Sequence, residues 1–235
     1  MKRASLGLLL LLASSLAAQN VIPAGTILPL QLDTGLNAAK AKAGQEIRAS
    51  VMQNIPGTPI HRGAHVVGHV VSVMPSRIEV RFDTLLVRDQ RIPLTTNLRA
   101  LASMVEVEQA QDPEAGPDRG TPPAWYTTRQ IGGEQVYRGG GPVARGITAV
   151  GEPVPYGVLD RLNPNPPCRA AIANNDAPQA LWLFSSDACG LYGYDNLAID
   201  HAGRTEPVGT IRLSAKTGKL KIRSGSGLLL RVQGS

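Results

Sequence analysis

Between residues 21 and 102 the apolar side chains arrive in short, β-branched runs separated by glycine and proline. Residues 27–32 (ILPLQL), 46–51 (EIRASV), 66–73 (VVGHVVSV), 78–82 (IEVRF) and 91–94 (RIPL) fit a strand length of about 5 to 8 residues. One segment, 36–43, has a helical flavour, but it is short and stops at Gly44, so a turn or a single helical turn fits it equally. Strands at this spacing predict a mainly β fold, a small barrel or sandwich. Residues 22–26 (IPAGT) and 60–64 (IHRGA) echo each other as Ile-x-x-Gly plus a small residue, each before a β-rich run. A glycine there allows a positive φ in the turn that enters the strand.

From 104 to 123 the pattern changes to Glu, Gln, Asp, Gly and Pro with hardly a large apolar residue, which predicts a mobile polar linker. Residues 125–157 read as glycine turns with short strands between them. Strand signals return at 180–184 (ALWLF, a buried-strand candidate), 197–200, 208–213, 220–223 and 228–232. This last meander either closes a second domain or returns to complete the first. The expected organisation is a leader at 1–18, a β-barrel domain at 19–103, a flexible linker at 104–124 and a β-rich region at 125–235.

The leader follows from its own polarity pattern. Lys2 and Arg3 precede an apolar run at 6–13 with five consecutive leucines, and small residues follow at 15–18, the order of a cleaved export signal. A bilayer-spanning helix needs about 20 apolar residues, more than this run supplies. The mature protein is therefore expected outside the cytoplasm, periplasmic or secreted. Gln19 and Asn20 follow the cleavage site, so no cysteine starts the mature chain and it is not expected to be a lipoprotein. After the leader no stretch is long enough to cross a bilayer, and no integral membrane segment is expected.

Charge and cysteine usage refine this picture. The formal net charge is +6, with Lys2 and Arg3 inside the leader, and the remaining basic residues are dispersed among apolar ones. With aromatics at 4%, the dense basic and aromatic patch of a nucleic-acid surface is missing, so no nucleic-acid partner is expected. The two cysteines, Cys168 and Cys189, enclose 20 residues, and in an oxidising compartment the default is a disulfide worth up to ~3 kcal/mol.

Candidate chemistry is sparse. His61, His65 and His69 are four apart, but the Val-rich flanks indicate a strand, along which four residues span ~13 Å, too far to chelate one ion. No metal or other cofactor is expected. His201 follows Asp195 and Asp200, yet no serine sits in a Gly-x-Ser-x-Gly elbow, and the glycine run 138–142 lacks the ending of a phosphate-binding loop. No catalytic residue is assigned. Binding is better supported: Tyr192 and Tyr194 share one face if the strand is continuous, and Asp195 and Asn196 follow, a mixture that suits a glycan or peptide.

A family resemblance enters with Ile22-Pro23-Ala24-Gly25-Thr26, Gly44-Gln45-Glu46-Ile47, Ala49-Ser50-Val51, Ile60-His61-Arg62-Gly63-Ala64, Gly68 and the stretch 77–86. In this order they resemble the periplasmic β-barrel domain of TrbI-type proteins of conjugative type IV secretion channels, over residues 21–98, about a third of the chain. Similar segments also resemble uncharacterised exported bacterial proteins. The resemblance implies an envelope scaffold. The chain departs from that family in lacking a retained N-terminal anchor and the apolar helical insertion that forms its channel. The leading expectation is a non-enzymatic exported envelope protein that contacts a protein partner or surface glycan. The competing one is an extracytoplasmic hydrolase acting on glycan or peptide.

Overall fold

A computed structural model describes residues 22–111, 131, 181–184, 188–200 and 209–234, together with the backbone of four short strands within 127–151. The strands of the first part are β1 (Ile27–Leu32), β2 (Leu36–Asn37), β3 (Glu46–Val51), β4 (His65–Met74), β5 (Arg77–Val87), β6 (Gln90–Pro93) and β7 (Thr95–Ala102). A helix, α1 (Met104–Gln111), and four short strands follow: β8 (Thr127–Arg129), β9 (Gln135–Tyr137), β10 (Val143–Arg145) and β11 (Thr148–Gly151). The chain ends with β12 (Gly190–Tyr192), β13 (Leu197–Ile199), β14 (Ile211–Ala215), β15 (Lys221–Ile222) and β16 (Gly227–Gly234). The fold is mainly β, as its pattern of apolar runs predicts.

One sheet dominates, in the order β12-β7-β16-β1-β3-β4-β5-β14-β13, with β6 added to β5. Its ends, β12 and β13, are consecutive in the chain. Leu94 N–H donates to Asp83 O at 2.7 Å and Thr96 Oγ1 to Phe82 O at 2.7 Å, tying the start of β7 to β5 across the interior. The sheet thus wraps around one core without a closed ladder. That core includes Leu28, Leu30, Ile47, Val66, Phe82, Leu101 and Leu230.

The last strand decides the topology. β16 lies between β1 and β7, antiparallel to both, with Leu230 opposite Leu28 on one side and Leu98 on the other. β14 extends β5, with Leu213 opposite Ile78. The C-terminal meander therefore completes the first domain, and the expected division between 19–103 and 125–235 does not describe the strand pairing. The reason is burial: without β16, β1 and β7 would each expose an edge and a row of leucines.

Both faces of β1, β7 and β16 are covered. Ala100, Ala102 and Leu229 on the outer face belong to a second core with Ile131, Leu181, Leu183, Phe184, Ala188 and, from α1, Val107 and Ala110. This corrects two expectations. The first eight residues of the proposed linker form α1, whose entry is capped by Ser103: its Oγ accepts the N–H of Glu106 at 3.2 Å. Residues 112–123 lie outside the described set. In the buried-strand candidate at 180–184 the described residues 181–184 form a tight reversal, in which Leu181 and Phe184 bridge each other and Trp182 takes φ +59°. Leu181, Leu183 and Phe184 are buried while Trp182 is half-buried.

Four turns of one design enter strands β1, β3, β4 and β16, all of which line the first core. Pro23-Ala24-Gly25-Thr26, Lys42-Ala43-Gly44-Gln45, His61-Arg62-Gly63-Ala64 and Arg223-Ser224-Gly225-Ser226 each close with a bond from the fourth N–H to the first carbonyl. Their glycines take φ +89°, +80°, +90° and +84°. Each glycine N–H donates to the carbonyl of a buried residue on a facing strand, whose own N–H returns a bond to the carbonyl of the turn's fourth residue. Those facing residues are Val232, Val70, Val51 and Leu32. The turn into β1 clamps β16 and the turn into β16 clamps β1; β3 and β4 are joined in the same reciprocal way. The echo between 22–26 and 60–64 is therefore half of a fourfold device arranged as two pairs.

Candidate functional site

The predicted binding residues lie where the ends of the sheet meet. β12 runs parallel to β7, with Gly190 opposite Ala100, and β13 pairs antiparallel with β14, with Leu197 opposite Ala215. Gly193 joins them at φ +68°. A side chain there would meet Ser103 Oγ at 2.4 Å and Glu106 Cγ at 2.7 Å, so both the backbone angle and the approach of α1 require glycine.

This glycine breaks the alternation that would put both tyrosines on one exposed face. Tyr192 packs against the second core; its hydroxyl accepts the Cys189 N–H at 2.8 Å and donates to Cys189 O at 3.0 Å. Tyr194 packs against the first core, its hydroxyl 2.9 Å from Ser226 Oγ. Burial pushes the Tyr194 phenol pKa up, opposed by the hydrogen bond to Ser226. The two rings act as anchors. Asp195 and Asn196 between them and β13 are exposed, and their backbone is held from behind: Lys216 N–H donates to Asn196 O at 2.7 Å and Lys216 Nζ to Asp195 O at 3.3 Å.

Cys189 is buried beside Tyr192, and the described residues include no free cysteine. Cys168 and His201 lie outside the described residues.

His65 and His69 occupy the solvent-facing side of β4, while His61 opens the turn that precedes it. His65 Nδ1 is 3.3 Å from Ser50 Oγ and 3.5 Å from Asp33 Oδ2, while Ser50 Oγ donates to Asp33 Oδ1 and Oδ2 at 2.9 and 3.0 Å. These are the residue types of a hydrolytic triad in a different arrangement. The serine proton is directed at the aspartate, and one histidine nitrogen faces both partners instead of bridging them through its two ring nitrogens. His69 Nδ1 pairs with Asp83 Oδ2 at 2.9 Å. Among the described residues no three His, Cys, Asp or Glu side chains are grouped to hold a metal.

Further along this face Arg212 on β14 joins Glu79 on β5 at 2.6 Å and Asp200 at 3.6 Å. The Arg212 hydrogen bond holds the Glu79 carboxyl below its ordinary pKa, against the opposing effect of burial. The network fastens β14, and with it β13 and the 193–196 turn, to the central sheet.

Four polar residues that pattern reasoning passed over lie in the β7–β16 region. Asn97 and Arg99 are buried; Asn97 Oδ1 accepts the Gly209 N–H at 2.9 Å and Arg99 Nε donates to Ala188 O at 3.1 Å. On β16, Arg231 stands opposite Asn97 on one side and Ile27 on the other, with Gln233 two residues on. A lone arginine inside Leu98-Arg99-Ala100-Leu101 and Leu230-Arg231-Val232 is the sequence signal that would have found them.

Among the described residues no helix is long and apolar enough to cross a membrane. Compared with known proteins, the chain matches no family model, no curated protein and no solved structure.

Proposed function

We propose that this chain is an exported, non-catalytic envelope scaffold that contacts a partner through the Asp195–Asn196 turn. The observation that carries the reading is the split within the 192–196 segment. Tyr192 and Tyr194 are each bound into a different core, and the two residues that follow are held outward on a fixed backbone. An exposed polar group on a rigid support loses little entropy on binding, the arrangement expected of a recognition turn. Export is supported by the polarity of residues 1–18, and the scaffold role by the TrbI-like order of residues 21–98. A protein partner is favoured over a glycan, because Tyr192 and Tyr194 face inward and offer no ring platform for a sugar.

A photo-crosslinking residue placed at Asn196 in the exported protein tests this. A discrete adduct that disappears with Asp195→Lys is expected, beside weak crosslinking from the exposed Lys219. Equal adducts from both positions would overturn the site. Turnover in a hydrolase panel that is lost with His201→Ala would overturn the non-catalytic reading in favour of an extracytoplasmic hydrolase.

A further inference from the structure

Arg231 and Gln233 hold donors that the fold does not use. Nε and Nη1 of Arg231 and Nε2 of Gln233 are buried and have no hydrogen-bond partner among the described residues. A guanidinium has only donors, and so does a carboxamide nitrogen, so each needs an acceptor. The Asn97 oxygen opposite Arg231 already accepts the Gly209 N–H. No described Asp or Glu forms an ion pair with Arg231. Removing such donors from water without a partner is unfavourable, most of all for a charged group.

The geometry of the fork says how an acceptor would arrive. Nη2 of Arg231 is not among its buried nitrogens, and the residue as a whole is only half-buried. Nη2 shares one edge of the guanidinium with Nε and the other with Nη1. A two-oxygen anion coming from solvent onto Nη2 therefore pairs with a buried N–H in the same step. Arg99, buried at the bulge where Leu229 and Leu230 pair with Ala100 and Leu98, places a second positively charged residue on the neighbouring strand. We propose that the Arg231–Gln233 end of β16 is an oxyanion site that binds a phosphate or carboxylate group. It involves none of the residues of the Asp195–Asn196 turn, and its failure would leave that reading standing.

The test is thermal unfolding of the full mature chain in sodium phosphate, sodium acetate, or sodium chloride at matched ionic strength. Wild type is expected to gain about 3 to 5 °C over chloride at roughly ten times the dissociation constant of whichever anion fits. A gain in phosphate alone assigns the site to phosphates, and a gain in acetate as well assigns it to carboxylates and phosphates together. Arg231→Met should lose the gain and, without anion, melt no lower than wild type, since it removes a buried donor with no partner. Equal gains in both proteins would reveal general salting by phosphate and overturn the site. An Arg231→Met protein that melts well below wild type, with no anion response in either, would show that a carboxylate of the chain itself already holds Arg231. If Arg231→Met does not fold, the arginine Nε–H spectrum decides. A resonance lost in Arg231→Lys should move with phosphate and not with chloride, and an unmoved one overturns the proposal.

Discussion

Replacing Gly63 by alanine isolates the backbone cost of the positive φ in one strand-entry turn. Gly63 takes φ +90°, and an added Cβ would find nothing within 4 Å, so the change introduces no clash. What remains is backbone strain, about 1 to 2 kcal/mol for an L-residue in left-handed space. Alanine also narrows the unfolded ensemble, which offsets ~0.4 to 1 kcal/mol. The expected net loss is about 1 kcal/mol, or roughly 2 to 4 °C in Tm for a chain of this size. Urea unfolding followed by circular dichroism measures it, with the slope m unchanged because the folded surface is the same. Gly63→Asn should lose less than Gly63→Ala, since asparagine enters positive φ more readily. Gly218→Ala, at φ +73° in open space but outside the four clamps, gives the strain alone. An alanine variant as stable as wild type, or an asparagine variant worse than alanine, would refute the reasoning.

Gly68→Ala should be far worse, by about 3 kcal/mol or to the point of misfolding, because its Cβ would stand 1.9 Å from Arg81 O; near-native stability would contradict the β4–β5 bulge. Leu230→Ala should cost roughly 2 to 5 kcal/mol, and a chain ended after Ser224 should show no cooperative unfolding; a cooperative transition in the truncated chain would contradict the central place of β16. The Glu79 carboxyl has its folded pKa depressed, so its contribution is present at neutral pH and is lost as pH falls through that depressed value. Arg212→Met should therefore flatten the fall of Tm between neutral pH and acid, and identical acid slopes would remove Arg212 from the account. In exported protein Cys168 and Cys189 should resist alkylation without reductant, and Cys189→Ala should lose about 3 kcal/mol at most; two reactive thiols by mass spectrometry would rule out the pair.

Strands with one solvated face could be read directly. In β3 the order Glu-Ile-Arg-Ala-Ser-Val alternates outward and inward, and the strand ends at the residues its pattern predicts. β7 could not be read this way. Both its faces are buried, so Thr96, Asn97 and Arg99 lie inside and no alternation survives. In α1 the signal was present at the wrong scale: Ser103 and Glu106 form a capping pattern within four residues, but the composition of 104–123 as a whole is that of a linker. The site suffered from a single residue. Tyr192 and Tyr194 share a face only if the strand continues, and Gly193 turns it. Nor does a linear pattern show that β16 inserts between β1 and β7, since Gln31 and Gly225, in contact through Gln31 Nε2, are 194 residues apart.

The place of β16 also governs when this molecule can become a molecule. It is the last of these strands in chain order and an interior one in the sheet, so a nascent chain missing residues 227–234 has nothing to zip β1 to β7. Pairings this distant in sequence form slowly, after the loop entropy of the whole intervening chain has been overcome. Through synthesis the polypeptide therefore stays threadable, with its leucine rows open to holding chaperones. If the chain is exported, as proposed, that delay is an asset: a chain unable to knit itself together before β16 appears would still be a thread when it meets a translocation pore.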